Sequence, residues 1–133
     1  MSKIDKQKSD IEFIKYQIAF STRCNRKIFN IHGVKELFLK ETRKVCDSIS
    51  VDINSILFED NYVCMSINAT SKNSASDIIH KIKYNTSRVI RANIRELGSM
   101  PSLWTRENLI STREYKDEKL LDAFLEQQNI RRI

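Results

Sequence analysis

A long amphipathic segment near the middle of the chain constrains the fold more than any other feature. Between Ser74 and Gly98 the apolar residues recur with the period of about 3.6 residues that marks one face of a helix. These residues are Ile78, Ile79, Ile82, Val89, Ile90, Ile94 and Leu97. Ser74 or Ser76 can cap the start of this helix, and Gly98 followed by Pro101 is a stop signal. The pattern predicts a long helix that packs its apolar face against a sheet.

The segments on either side predict the strands of that sheet and a second helix. Tyr16, Ile18 and Phe20 alternate in a strand over about residues 11–20, and residues 34–49 have helical spacing. Residues 51–59 and 62–69 predict a hairpin with a short turn, residues 103–112 a fourth strand, and residues 116–129 a last helix. The expected fold is α+β, a ferredoxin-like β-α-β-β-α-β sandwich with an added C-terminal helix.

Length and composition indicate one cytoplasmic domain with a polyanionic partner. The 133 residues suit a single domain over residues 11–133, preceded by a polar, disordered tail over residues 1–10. No stretch is apolar enough to cross a bilayer or to direct export. The three cysteines are widely spaced and predict reduced thiols without a structural zinc site. The net charge of +6 favours contact with phosphates.

Four short motifs, in this order, are typical of one enzyme family. They are Lys15-Tyr16-Gln17-Ile18-Ala19-Phe20, Arg26-Lys27-Ile28-Phe29, Ile82-Lys83-Tyr84-Asn85-Thr86-Ser87 and Leu103-Trp104-Thr105-Arg106. From about Phe13 to Gln128 the chain resembles the single-tyrosine HUH transposases of hairpin-ended insertion sequences, which include the REP-associated transposases. The resemblance implies the ferredoxin-like fold, binding of DNA hairpins, a role in DNA transposition, and a homodimer that joins two sheets edge to edge.

The chain departs from this family at the positions that carry its chemistry. Family members hold a divalent cation with two histidines on a central strand and a glutamine on the last helix, while a helix tyrosine attacks the phosphate. Here Tyr62 and Cys64 stand at the histidine positions and Phe124 stands at the tyrosine, whereas Gln128 is retained. A thiol and a phenol are poor ligands for Mg²⁺ or Mn²⁺. We therefore expect no metal, no cofactor and no DNA cleavage, as in a pseudoenzyme.

Basic residues at three places are candidates for nucleic-acid contact. They are Arg23, Arg26 and Lys27 in the loop after the first strand, Lys81, Lys83, Arg88 and Arg91 on the long helix, and Arg106 near the fourth strand. Arg95 extends the helix stripe, and Trp104 is expected in the core rather than as a base platform. The hypothesis is binding of hairpin or single-stranded nucleic acid, either DNA or RNA.

Two other functions remain open from the sequence. One is a dimeric interaction or regulatory module that pairs with an active transposase and binds no nucleic acid. The other is an active transposase or nuclease with an atypical site that uses Tyr62 or Tyr115. Tyr115 lies nine residues before Phe124, which at about 100° per residue places it on the opposite side of a helix.

Overall fold

The computed structural model describes residues 12–112 and 123–126. The strands are β1 (Ile14–Ser21), β2 (Asp52–Phe58), β3 (Tyr62–Ala69) and β4 (Leu109–Ser111), and the helices are α1 (Val34–Ser48) and α2 (Ala75–Asn93). Single 3-10 turns lie at Arg23–Asn25, Ile28–Asn30 and Arg95–Leu97. The order confirms the α+β, β-α-β-β-α-β prediction. Of the last helix predicted over residues 116–129, residues 123–126 are helical and the others lie outside the described part.

The four strands form one antiparallel sheet in the order β2-β3-β1-β4. The turn that joins β2 to β3 is closed by the Glu59 amide, which donates to the Tyr62 carbonyl at 2.9 Å. Each helix crosses from one strand to a strand two places away, which leaves β1 and β3 at the centre of the sheet. In the described part of the chain, no helix has the length and apolar character needed to span a membrane.

Both helices pack against one face of this sheet. Ile18 of β1, Met65 of β3 and Ile82 of α2 are fully buried in the same apolar cluster. An aromatic group fills the end of the core near the start of α1, with ring centroids 4.9 to 6.2 Å apart; its members are Phe20, Phe29, Phe38, Phe58 and Trp104. Apolar burial of this extent is the main force that holds such a sandwich together.

The end of α2 differs from the prediction. Of the two caps that the sequence allowed, Ser74 is the one that forms, because its hydroxyl accepts from the Asp77 amide at 3.0 Å. The helix ends at Asn93 rather than Leu97, since Ile94 has an extended conformation and a separate 3-10 turn follows. Leu97 is nevertheless buried and Ile94 packs against the core. The apolar period therefore predicted which side chains are buried even beyond Asn93, where the α-helix ends.

The fourth strand is shorter than predicted. Only Leu109–Ser111 pair with β1, and Trp104 forms a single isolated bridge to Thr22. Between them the Thr105 amide still donates to the Ser21 carbonyl of β1 at 3.0 Å, while the carbonyls of Thr105 and Glu107 accept from the Lys83 amine. We call residues 98–108, which link the last 3-10 turn to β4, the connector.

Candidate functional site

The face of the sheet opposite the helices, called here the open face, carries the positions expected for metal binding. Val63 and Met65 point into the core, so Tyr62 and Cys64 point to the open face. Across the sheet the pairing places an apolar row beside a polar row. The apolar row is Leu57, Cys64, Ala19 and Leu109, and the polar row is Ser55, Ser66, Gln17 and Ser111.

Cys64 has the character of a small apolar residue at this place. Its side chain is buried between Ala19 on β1 and Leu57 on β2. Burial, and to a smaller extent the charge of Glu59, raises the pKa of the Cys64 thiol to about 11. The thiol is therefore neutral near pH 7, and a neutral thiol is a weak nucleophile and a weak metal ligand. The prediction of a packed strand cysteine is confirmed.

The polar row is joined by neutral hydrogen bonds. The Gln17 amide donates to the Ser66 hydroxyl at 3.2 Å. Asn54, at a bulge in β2, donates to the Asn68 side chain at 3.1 Å and reaches the same hydroxyl at 3.4 Å. Amides and hydroxyls can orient a bound group, but they neither polarise a phosphate as a cation does nor transfer protons near pH 7. Sequence reasoning missed Asn54 and Ser66, because a bulge is not visible in the alternation.

The described residues around these positions were searched for side chains that could hold a metal ion or attack a phosphate. Within residues 12–112 and 123–126, no three His, Cys, Asp or Glu side chains are close enough together to hold a metal ion. Phe124 is half-buried in the helical stretch 123–126 and carries no hydroxyl. Gln128 and Tyr115 lie outside the described residues.

The loop after β1, called here the basic loop, presents Arg23, Arg26 and Lys27 to solvent. Its backbone is held from both sides. The Thr22 hydroxyl donates to the Arg26 carbonyl at 2.6 Å, and the Arg23 amide donates to the Leu103 carbonyl of the connector at 2.7 Å. The Asn61 amide of the β2–β3 turn donates to the Asn25 side chain. The loop therefore holds three exposed cations on a fixed backbone, beside the connector.

A second basic region lies on the other side of the connector. An open cleft of roughly 640 Å³, called here the α2 cleft, separates α2 from the connector. It is lined by His80, Lys83, Tyr84, Ser87, Arg91, Pro101, Ser102, Trp104, Thr105 and Arg106. None of these ten lining residues is acidic. A cleft lined by basic and neutral residues attracts anions.

Lys83, which the sequence listed among the candidates for nucleic-acid contact, is half-buried. Its amine donates to the Thr105 carbonyl at 2.7 Å and to the Glu107 carbonyl at 3.4 Å, and lies 5.2 Å from the Phe20 ring centroid. Burial lowers the pKa of Lys83 to about 8, with a smaller opposing effect from the charge of Glu107. Lys83 therefore fastens the connector to α2.

The remaining helix cations differ in how they are held. Lys81 and Arg88 are exposed, and Arg95 lies beyond the end of α2. Arg91 is half-buried: it donates to the Ser87 carbonyl at 3.2 Å and to the Met100 carbonyl at 2.9 Å, which fixes its guanidinium at the wall of the cleft. Arg106 is exposed on the opposite wall. The structure thus brings Arg91 and Arg106 together across one cleft, which sequence spacing did not show.

Trp104 closes the inner end of this region. It is 4% exposed and packs edge-on against Phe20, with ring centroids 5.0 Å apart. Its indole N–H donates to the Thr86 hydroxyl at 3.1 Å. The prediction that Trp104 is a core residue is confirmed.

The comparisons with known proteins agree with this sandwich fold. The profile of the IS200-like transposase family matches residues 10–128. The chain therefore belongs to the IS200-like transposase family, as the sequence motifs indicated.

Two solved structures have the same fold. A candidate transposase from Deinococcus radiodurans R1 is 14% identical with a TM-score of 0.81, and the match covers 92% of this chain and 96% of that protein. A REP-associated tyrosine transposase, solved bound to a REP hairpin, is 8% identical with a TM-score of 0.59, and the match covers 83% of this chain but 61% of that protein. Among curated proteins, none matches the chain.

Proposed function

We propose that this protein binds hairpin or single-stranded DNA through the basic loop and the α2 cleft, and that it neither cuts the DNA nor transfers strands. The observation that carries the proposal is the hydrogen bond from the Arg23 amide to the Leu103 carbonyl. It fixes the basic loop against the connector, whose residues Thr105 and Arg106 line the cleft. Two groups of cations are thereby held side by side.

The electrostatics of this surface favour a strand rather than a small anion. Arg23, Arg26 and Lys27 are all exposed, and Arg91 and Arg106 face one cleft. Several cations spread along a surface neutralise successive phosphates and release counterions, which makes affinity fall with salt. The structural neighbour bound to a REP hairpin supports the choice of a hairpin as ligand.

The proposed lack of cleavage rests on the open face and on Phe124. Family chemistry needs a divalent cation beside a nucleophilic hydroxyl. Cys64 is a buried, neutral thiol, and the polar row next to it contains amides and hydroxyls only. Phe124 has no oxygen with which to form a covalent link to phosphate. Binding and cutting use different surfaces in this proposal, so one can persist without the other.

A homodimer is part of the proposal. The edges of the sheet are β2 and β4, and an uncovered edge tends to pair with another strand. Sedimentation is expected to give twice the chain mass of 15.6 kDa. A monomer at micromolar concentration contradicts this part alone and leaves the DNA-binding proposal to its own test.

The test is binding of a DNA hairpin at increasing salt, with an RNA hairpin and a random polyanion as comparisons. We expect the DNA hairpin to bind most tightly, and the logarithm of its affinity to fall linearly with the logarithm of salt concentration. Equal affinity for all three ligands contradicts the proposal. Tighter RNA binding contradicts the choice of DNA, and a dimer that binds none of the three supports an interaction module instead.

The same hairpin tests cleavage. After incubation with Mn²⁺, denaturing gels are expected to show neither cut DNA nor a covalent protein–DNA adduct. An adduct that disappears in Tyr62→Phe or Tyr115→Phe contradicts the proposed inactivity and identifies the nucleophile.

A further inference from the structure

We propose that the groove between β2 and α1 binds an extended acidic segment of a partner protein, which adds to the sheet as a further strand beside β2. This groove, called here the β2 groove, has a volume of roughly 320 Å³ and is lined by Leu39 and Arg43 of α1 and by five residues of β2. The inference goes beyond the proposed DNA binding and does not depend on it, because the β2 groove shares no lining residue with the α2 cleft.

The outer edge of β2 offers backbone groups to a further strand. β2 is the last strand on its side of the sheet, and in the described part of the chain it pairs with β3 alone. The Glu59 amide donates to the Tyr62 carbonyl, so these two residues form a hydrogen-bonded pair at the end of the hairpin. Because such pairs alternate along an antiparallel ladder, Phe58 and Ile56 turn their N–H and C=O groups away from β3.

The side chains along this edge are only partly covered. Ile56 and Phe58 lie on the helix side of the sheet, since they pair with the buried residues Met65 and Val63, yet both are half-buried. Leu57 points to the open face and is 58% exposed. A strand beside β2 therefore covers apolar surface on both faces of the sheet, while its main chain bonds to the edge.

The wall that α1 forms sets the chemistry of the partner. Lys35, Leu39 and Arg43 follow one another at intervals of four residues and therefore lie on one face of the helix. The Lys35 amine lies 5.8 Å from the Phe58 ring centroid, which places this row beside β2. Lys35 and Arg43 are exposed, and Leu39 is half-buried. The row thus presents a cation, an apolar side chain and a second cation.

The spacing of the row matches an extended chain. Lys35 and Arg43 are separated by two steps of four residues, which is about 12 Å along a helix. Four residues of a strand cover about 13 Å, and the side chains at positions i, i+2 and i+4 lie on one face. The segment that fits has acidic residues at i and i+4 and an apolar residue at i+2. Glu-x-Val-x-Glu is its simplest form.

A second copy of this chain fits the β2 groove less well than an acidic partner. Pairing β2 with β2 of another copy brings the two α1 helices side by side on one face of the joined sheet. The exposed cations of the two α1 helices then repel each other. The one charged residue of β2, Asp52, lies at the far end of the strand, beyond the bulge at Asn54. A homodimer through β4 is compatible with an acidic partner at β2.

The first experiment measures fluorescence anisotropy of labelled peptides with the full chain. The probe is Ser-Glu-Thr-Val-Thr-Glu-Ser, and its comparisons carry Lys in place of both glutamates or the same residues in scrambled order. We expect the probe to bind roughly tenfold more tightly than either comparison, because two charge pairs and one apolar contact depend on the order. Equal affinity for the three peptides overturns the proposal.

Methylation of the peptide backbone tests strand addition separately from charge. The valine of the probe lies opposite Ile56, so its N–H and C=O face β2. N-methylation of this valine is expected to weaken binding by about tenfold through the lost hydrogen bond. N-methylation of the preceding threonine, whose N–H points away from β2, is expected to change affinity by less than about threefold. If both methylated peptides bind as the probe does, the segment is not an added strand and the proposal is wrong.

Variants of α1 locate the site. Arg43→Glu is expected to weaken binding of the probe by about tenfold, and a probe with Lys in place of one of its two glutamates is expected to restore it. Lys40→Glu is the matched control, since Lys40 is also exposed on α1 but does not line the β2 groove; a loss of no more than about threefold is expected. Both positions are exposed, so both variants are expected to fold, which circular dichroism checks.

The remaining outcomes also decide between partners. Equal losses in Arg43→Glu and Lys40→Glu overturn the location of the site. If the probe dissociates a dimer in sedimentation, a second copy occupies β2 and the choice of an acidic partner is wrong. Hairpin affinity measured on the same samples tests the proposed function by itself, because neither result depends on the other.

Discussion

The open face of the sheet and the α2 cleft are built on neighbouring elements but hold opposite kinds of side chain. The open face carries a buried neutral cysteine beside a row of amides and hydroxyls. The cleft carries Arg91 and Arg106 on facing walls, an exposed tyrosine and no acidic lining residue. This difference is why the proposed function separates the surface for binding DNA from the face that would carry the groups for cutting.

The largest expected effect is on the basic loop. Replacing Arg23, Arg26 and Lys27 together by Ala is expected to weaken hairpin affinity by about 100-fold at 0.1 M salt and to reduce the salt slope by roughly two to three units. All three side chains are exposed, so stability should change little. Filter binding over a range of salt concentrations measures both quantities.

The control for that variant removes the same charge from α1. Lys40, Arg43 and Lys44 are also exposed, and Lys44 lies 3.8 Å from the largely buried carboxylate of Glu41. Their replacement by Ala is expected to lower affinity by no more than about fivefold through net charge alone. If the two triple variants lose hairpin affinity equally, the interface is not localised at the basic loop. The DNA is then attracted by the positive charge of the whole surface.

Sequence patterns predicted the fold because each pattern follows a packing requirement. The apolar periods of α2 and β1 reflect which face is buried, so the element order and the core could be predicted from them. The ends of α2 and β4 could not, because Ile94 and the connector are shaped by contacts with distant residues. For the site, exposure of Arg23 was predictable from a polar loop, whereas burial of Lys83 depends on two carbonyls more than twenty residues away.

Lys83 provides a smaller effect, which sharpens the contrast between the cations proposed to bind DNA and a cation that stabilises the fold. Its pKa is lowered to about 8 in the folded protein, from 10.5 for a free lysine. Between these values the unfolded chain binds the proton and the folded chain does not, so stability rises with pH in this window. Above pH 10.5 the penalty vanishes, and below pH 8 it is complete.

The comparison variant is Lys83→Met, which lacks the titrating group. From pH 8 to pH 10.5 wild type is expected to gain about 1–3 kcal/mol of unfolding free energy relative to Lys83→Met, after allowance for partial solvent screening. Urea unfolding at four pH values measures the difference. If the difference in unfolding free energy between wild type and Lys83→Met stays constant over this range, the Lys83 amine is hydrated. Lys83 is then grouped again with the cations proposed to bind DNA.

The smallest expected effect is on the open face, where a null result in binding is itself informative. Cys64→Ala removes a buried sulfur between Ala19 and Leu57 and is expected to cost about 1 kcal/mol of stability. Hairpin affinity is expected to change by less than about twofold, because no cation is lost and the basic loop is untouched. Gln17→Ala, which removes the hydrogen bond to Ser66, is the second variant on this face and tests the polar row. If either variant weakens binding as much as the basic-loop variant, DNA lies across the sheet, and the proposed separation of DNA binding from the open face is wrong.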